Sequence, residues 1–137
     1  DIIMRGRLIR SMADQISERA PQVALAYKAK LEERITDLLG SAVEIPEDRI
    51  ALEAALFADK SNITEELVRL SSHISQLEQI ITQSNQPDGK KLDFLVQEMN
   101  RETNTIGSKA NDIIITNFVL EMKSEIEKIR EQVQNIE

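Results

Sequence analysis

Apolar residues recur along most of this chain at intervals of three and four, the spacing of amphipathic helices. Ile63, Leu67, Leu70, Ile74, Leu77 and Ile81 alternate steps of four and three, and Val119, Met122, Ile126, Ile129, Val133 and Ile136 do the same. Alternation sustained over that length is a heptad seam. Between the two seams, Leu92, Leu95, Val96, Met99, Thr103 and Ile106 fall on one side of a further helix. Upstream, Ile2, Ile9, Met12 and Ile16 predict a helix over Ile2–Ser17. Pro21 suits the start of a helical turn, and the apolar pattern runs on from Val23 to Leu39, with Gly40 as a stop. These two pieces are expected to form one long helix kinked near Pro21.

The punctuation agrees with the pattern. Ser41–Ile45 reads as a short connection, and Pro46 as the first turn of a helix, with Glu47 and Asp48 favourable against its N-terminal dipole. Ile50, Leu52, Ala55, Leu56 and Phe57 supply the apolar residues of that helix. Asn62 is a good N-cap, and Glu65 three residues on approaches a capping box. Gln83–Gly89 is the clearest loop. Gly107 and Ser108 are expected to relax the preceding helix before Ala110, with the last helix starting near Asn111. The pattern predicts an all-α fold: a single all-helical domain over 1–137, built as an elongated antiparallel helical bundle with long coiled-coil-like helices.

Composition narrows the chemistry more than the fold. With 3% aromatic residues and no Trp, the core is left to Leu, Ile, Val, Ala and Met. The absence of Cys excludes disulfides, thiolate nucleophiles and Cys-ligated zinc. No apolar run approaches the roughly 20 residues of a membrane span, and no membrane role is expected. Net charge is −7, whereas a general polyanion binder is basic. The charge is uneven: Glu44–Glu66 carries −5, Asp1–Arg34 +2 and Lys90–Lys109 +1. An anionic ligand is therefore expected at the first helix or in the Lys90–Lys109 stretch. Within the first helix, Arg5, Arg7 and Arg10 read either as a solvated face or as a phosphate-contacting edge.

Two stretches carry candidate chemistry. On the first seam, helical spacing puts Glu65 or Glu66, Arg69 and His73, the sole histidine, on one stripe. A histidine with carboxylates suits Mn²⁺, Mg²⁺ or a similar divalent ion, or an acid/base pair near neutral pH. The same residues also fit a plain i,i+4 ion pair beside a boundary histidine. In KKLDFLVQEMNRETNTIGSKAND, three asparagines crowd into a segment where they are mediocre helix formers. There Arg101 and Lys109 can grip phosphate while Asn100, Asn104 and Asn111 read polar edges; helix caps and inter-helix hydrogen bonds fit those residues equally. Glu98, Glu102, Asp112, Glu121 and Lys123 are candidates for a polar patch between the last two helices. No Gly-rich phosphate loop, nucleophile elbow, HExxH or EF-hand loop is present.

ITEELVRLSSHISQ, GKKLDFLVQEMNRETNTIGSKAND and the terminal EMKSEIEKIREQVQNIE resemble the C-terminal domain of the YicC/YloC family. The likeness runs from about Pro21 onward and is closest between Asn62 and Glu137. It implies bacterial, cytoplasmic, stress-linked endoribonucleases that cut single-stranded or structured RNA and assemble as ring-like homo-oligomers, described as hexamers. It also implies that an N-terminal half is absent here. The motif positions carried over are Glu65, Glu66, Arg69, His73, Glu98, Asn100, Arg101, Asn104, Lys109 and Asp112. The resulting expectation is an RNA-binding hydrolase of phosphodiesters. His73, Glu65, Glu66, Arg69 and Arg101 are its catalytic candidates. Asn100, Asn104, Lys109 and Asn111 are expected on RNA, and Glu66, His73, Glu98 and Asp112 on a divalent metal ion. The alternative is a non-catalytic module for oligomerisation, or for binding RNA or another ribonuclease.

Overall fold

A computed structural model describes residues 1–40 and 44–136. Five helices follow in order: α1 (Ile2–Leu39), α2 (Glu47–Lys60), α3 (Thr64–Gln83), α4 (Gly89–Ala110) and α5 (Ile113–Ile136). No strand occurs among the described residues. The connection expected at Ser41–Ile45 falls largely on residues 41–43, outside the described ones.

Four helices close into the bundle. Helix α1 packs against α5 and α3, α3 against α4, and α4 against α5. Each of these contacts is antiparallel. Arg5 reaches Glu125 and Arg19 reaches Asp112 across α1–α5. Arg10 donates to Ser71 and Ser75 across α1–α3. Arg69 meets Glu102 and Lys109 meets Glu66 across α3–α4. The heptad residues meet in the middle: Leu70, Ile74 and Leu77 of α3 are fully buried with Met122, Ile129 and Val133 of α5. Leu92, Met99, Thr103 and Ile106 of α4 and Ile9 and Ile16 of α1 complete the core. Burying one such aliphatic side chain stabilises the fold by about 1.5–3 kcal/mol, so the seams dominate its energetics. A Cβ built at Gly107 would stand 3.1 Å from Val119 Cγ1, so the glycine lets α4 and α5 approach closely there. Helix α4 does not relax at that point; it continues to Ala110.

Helix α1 is unbroken through Pro21. At 1.5 Å per residue it is roughly 57 Å long, against about 30–36 Å for α3, α4 and α5. Its buried residues end at Val23. The remainder projects past the bundle as an arm, and α2 folds back along it, held by a parallel stack of Tyr27 on Phe57 with ring centroids 4.0 Å apart. Gly40 ends α1 at φ 77°, its N–H bonded to the Thr36 carbonyl. Asn62 Oδ1 accepts the Thr64 N–H at 2.9 Å just ahead of α3, but the N-cap position itself falls to Ile63 and no capping box closes; Glu65 turns to Arg69 at 3.4 Å.

Candidate functional site

The α3–α4 seam is where the polar residues gather. Antiparallel packing of two helices sets His73 opposite Glu98 and Glu102, one turn apart on α4. Each of the three presents one potential ligand atom, and these atoms lie within 4.8 Å of one another. Glu102 is buried at 6% exposure; His73 and Glu98 are half-buried. His73 Nδ1 is enclosed and has no hydrogen-bond partner. An enclosed imidazole nitrogen without a partner is costly unless something completes it. Opposed ligands at about 2.1 Å from a small cation stand about 4.2 Å apart, so a modest contraction closes these three around one ion. One imidazole with two carboxylates suits Mn²⁺ better than Mg²⁺, which prefers oxygen alone.

Arg69 borders the cluster. Its Nε donates to Glu102 Oε1 at 2.8 Å, while its terminal nitrogens approach Glu65 at 3.4 Å and Glu66 at 4.0 Å. Hydrogen bonding to Glu102 raises its already high pKa further, so the cation is permanent. Glu65 itself points into solvent, with its side chain 84% exposed.

The expected ligand set is corrected in two places. Glu66 does not join His73. It lies two helical turns towards the start of α3 with its side chain 2% exposed, and Lys109 Nζ holds both its oxygens at 3.0 and 3.4 Å. Asp112 is likewise taken up elsewhere. Arg19 of α1 grips it with two hydrogen bonds of 3.0 and 3.1 Å, and its Oδ2 accepts the Ile115 N–H at 3.2 Å to cap α5. The Arg19 guanidinium holds the Asp112 carboxyl below the usual carboxylate range. Glu102, missing from the expected ligand set, is the carboxylate that stands beside His73 and Glu98. The i,i+4 spacing of Glu98 and Glu102 on α4, matched by His73 on the facing helix, is the signal that could have found it.

The cationic and amide candidates separate as well. Lys109 is committed to Glu66 rather than free for phosphate. Arg101 is exposed and pairs with no acid among the described residues. Asn100 lies roughly 160° around α4 from Glu98 at 3.6 residues per turn, so it sits off the α3 flank altogether. Asn104 is exposed. Asn111 is the left-handed C-cap of α4, at φ 48° and ψ 44°. Asparagine tolerates that conformation better than most side chains, which suits it to this turn. The proposed patch between α4 and α5 dissolves: Glu98 and Glu102 face α3, and Glu121 and Lys123 are exposed. Arg7 is solvated, with its side chain 74% exposed, whereas Arg5 and Arg10 are drawn into contacts across helices. The three tie α1 to Glu125 at 2.7 Å, to Glu78 at 3.8 Å and to Ser71 and Ser75.

No described helix is long and apolar enough to cross a membrane. Among known proteins, the chain is 54% identical over its whole length to a protein of Clostridioides difficile (strain 630) named probable endoribonuclease YicC. It is 35% identical over 90% of its length to the protein of that name in Haemophilus influenzae. It spans 46% and 42% of those two relatives, so less than half of each. The family described as endoribonuclease YicC-like, C-terminal, matches residues 16–137. On that match, which begins within α1 and takes in α2 to α5, the chain belongs to the endoribonuclease YicC-like family.

Proposed function

We propose that this chain is the helical part of an endoribonuclease and that His73, Glu98 and Glu102 hold a divalent cation, Mn²⁺ in preference to Mg²⁺. The observation that carries the reading is the partnerless, enclosed Nδ1 of His73 beside two carboxylates of the facing helix. When bound, such an ion polarises a phosphodiester and lowers the pKa of a coordinated water. The chain's own residues set the stage for that chemistry. Arg69 fixes one oxygen of Glu102 and leaves the other available. Arg101, exposed one residue before Glu102, is placed to meet a phosphate of the RNA, with Asn104 one turn further along. Glu65, solvent-facing beside Arg69, is the carboxylate able to exchange a proton with water or a 2′-OH. Relatives bearing the endoribonuclease name are consistent with RNA as substrate, and a Cys-free chain suits the reducing cytoplasm.

The test is titration of the protein with Mn²⁺, followed by calorimetry, alongside cleavage of a labelled RNA. One Mn²⁺ per chain is expected, lost in His73→Ala together with cleavage. Stoichiometric Mn²⁺ binding that survives in His73→Ala, or cleavage untouched by it, rejects the assignment.

A second reading concerns assembly. The α1–α2 arm exposes Leu25, Leu38, Leu39, Leu52 and Leu56, with Leu38 82% in solvent. Such a surface favours association with further copies of the chain. Sedimentation of the wild type against Leu38→Ser/Leu39→Ser separates the two roles, since the substitutions lie far from His73.

A further inference from the structure

A second polar hollow lies in the angle between the arm and the bundle. It has a volume of about 270 Å³ and is lined by Tyr27, Lys30 and Arg34 of α1, Phe57 of α2 and the Asn111–Asp112 turn between α4 and α5. Its chemistry is unlike that of the metal cluster. Lys30 and Arg34 are one turn apart on one face of α1, and neither pairs with an acid among the described residues. Side chains on a helix lean towards its N-terminus, so both cations tilt back from the arm towards the bundle end. The acid within the hollow, Asp112, is already neutralised by Arg19 at 3.0 Å. The hollow is therefore net cationic in a chain of net charge −7. Tyr27 and Phe57 give it an aromatic wall, and Asn111 stands at the rim in its left-handed turn, with an exposed side chain free to donate and accept.

Two unpaired cations, an aromatic wall and a free carboxamide match one nucleotide of a single strand: phosphate, base face and base edge. We propose that this hollow is a subsite for a nucleotide of single-stranded RNA, separate from the metal cluster. Asn111 is nine residues beyond Glu102, so along α4 the two sites are roughly 14 Å apart at 1.5 Å per residue. A short strand thus engages both. Lys30 and Arg34 anchor its backbone away from the bond that is cut. The subsite deepens the ribonuclease reading and rests on it for the identity of the strand, but its occupancy is measurable without cleavage.

Tyr27 makes that measurement direct, because the chain has one Tyr and no Trp. Its fluorescence reports on the hollow alone. In His73→Ala protein, where the RNA stays intact, an unstructured oligoribonucleotide is expected to quench Tyr27 saturably. Charge reversal in Lys30→Glu/Arg34→Glu, at two exposed positions with helicity checked by circular dichroism, is expected to weaken binding at least tenfold. It should also flatten the dependence of log K on log salt by about 1.4, two phosphate contacts of a single strand at about 0.7 each. Binding without Tyr27 quenching, or an affinity and salt slope untouched by the charge reversal, overturns the subsite. Failure of the metal reading shows differently: Mn²⁺ binding or cleavage then persists in His73→Ala while the Tyr27 signal stands.

Discussion

Two groups of carboxylates lie on the same α3–α4 seam, two turns apart, and they are treated in opposite ways. At the Glu66 end, a buried carboxylate is matched by Lys109 at 3.0 Å with Arg69 close behind, so the charge is satisfied within the fold. At the His73 end, Glu98 has no cation of its own, Glu102 has one oxygen on Arg69, and an imidazole nitrogen is left enclosed without a partner. A buried charge costs several kcal/mol unless compensated. Where the protein supplies the compensation, the group serves structure. Where it withholds it, the group is left open to the cation proposed for it. Burial alone would rank Glu66 as the more conspicuous site residue, and that ranking misleads.

The sharpest way to break this contrast is to neutralise one carboxylate at each end. Glu98→Gln is expected to reduce RNA cleavage by 100-fold or more with little change in melting temperature, whereas Glu66→Gln should lower stability and leave the Mn²⁺ affinity near that of the wild type. Equal effects on Mn²⁺ binding would erase the division. A second measurement concerns the pair itself. Lys109→Met leaves Glu66 buried and short of its main partner, and should cost about 2–3 kcal/mol in urea unfolding, reduced from the usual 3–5 by the exposure of the lysine. Adding Glu66→Leu should recover most of that loss; a double variant no more stable than the single would show that packing, not charge, is at stake. The smallest expected effect lies at the far seam. Asp112 and Glu125 are held below the usual carboxylate range by hydrogen bonds from Arg19 and Arg5 respectively. Between the unfolded and folded values the unfolded chain binds more protons, so these pairs stabilise the fold above about pH 4–4.5 and lose that contribution as pH falls through the lowered values. The melting temperature should be flat from pH 7 to 5, then fall, and Arg19→Met should blunt the drop. An unchanged acid slope in that variant would remove Asp112 from the account.

The architecture was legible because it rests on periodicity. The seam residues from Leu70 to Leu77 and from Val119 to Val133 are buried as their spacing predicts, as is Ile63, while Leu67 is half-buried beside the sealed Glu66; the α4 face from Leu92 to Ile106 is fully inside. The stop signal held at Gly40, while the cap expected at Asn62 moved to Ile63, with Asn62 bonding the Thr64 N–H just ahead of the helix. Charge pairing was not legible, because it is decided across helices. Nothing in the spacing of Asp112 reveals that Arg19, 93 residues earlier, will take it. Glu65 and Glu66 were indistinguishable as neighbours, yet one is in solvent and the other sealed beneath Lys109. The asparagines were ambiguous for a related reason. Their poor helix propensity suggested a site throughout, whereas at Asn111 the same property reflects the reversed backbone at the end of α4. His73 was singled out as the sole histidine, and its partner Glu102 emerged only when α4 was laid against α3.

Pro21 cannot donate to the Ser17 carbonyl, so α1 lacks one rung of its ladder a short way before the rod leaves the bundle. Stiffness along the rod is therefore lowest near its exit, and the arm behaves as a lever with its fulcrum there. Bending of the arm against the bundle is therefore expected to concentrate beside the Arg19 clasp and the Tyr27–Phe57 stack.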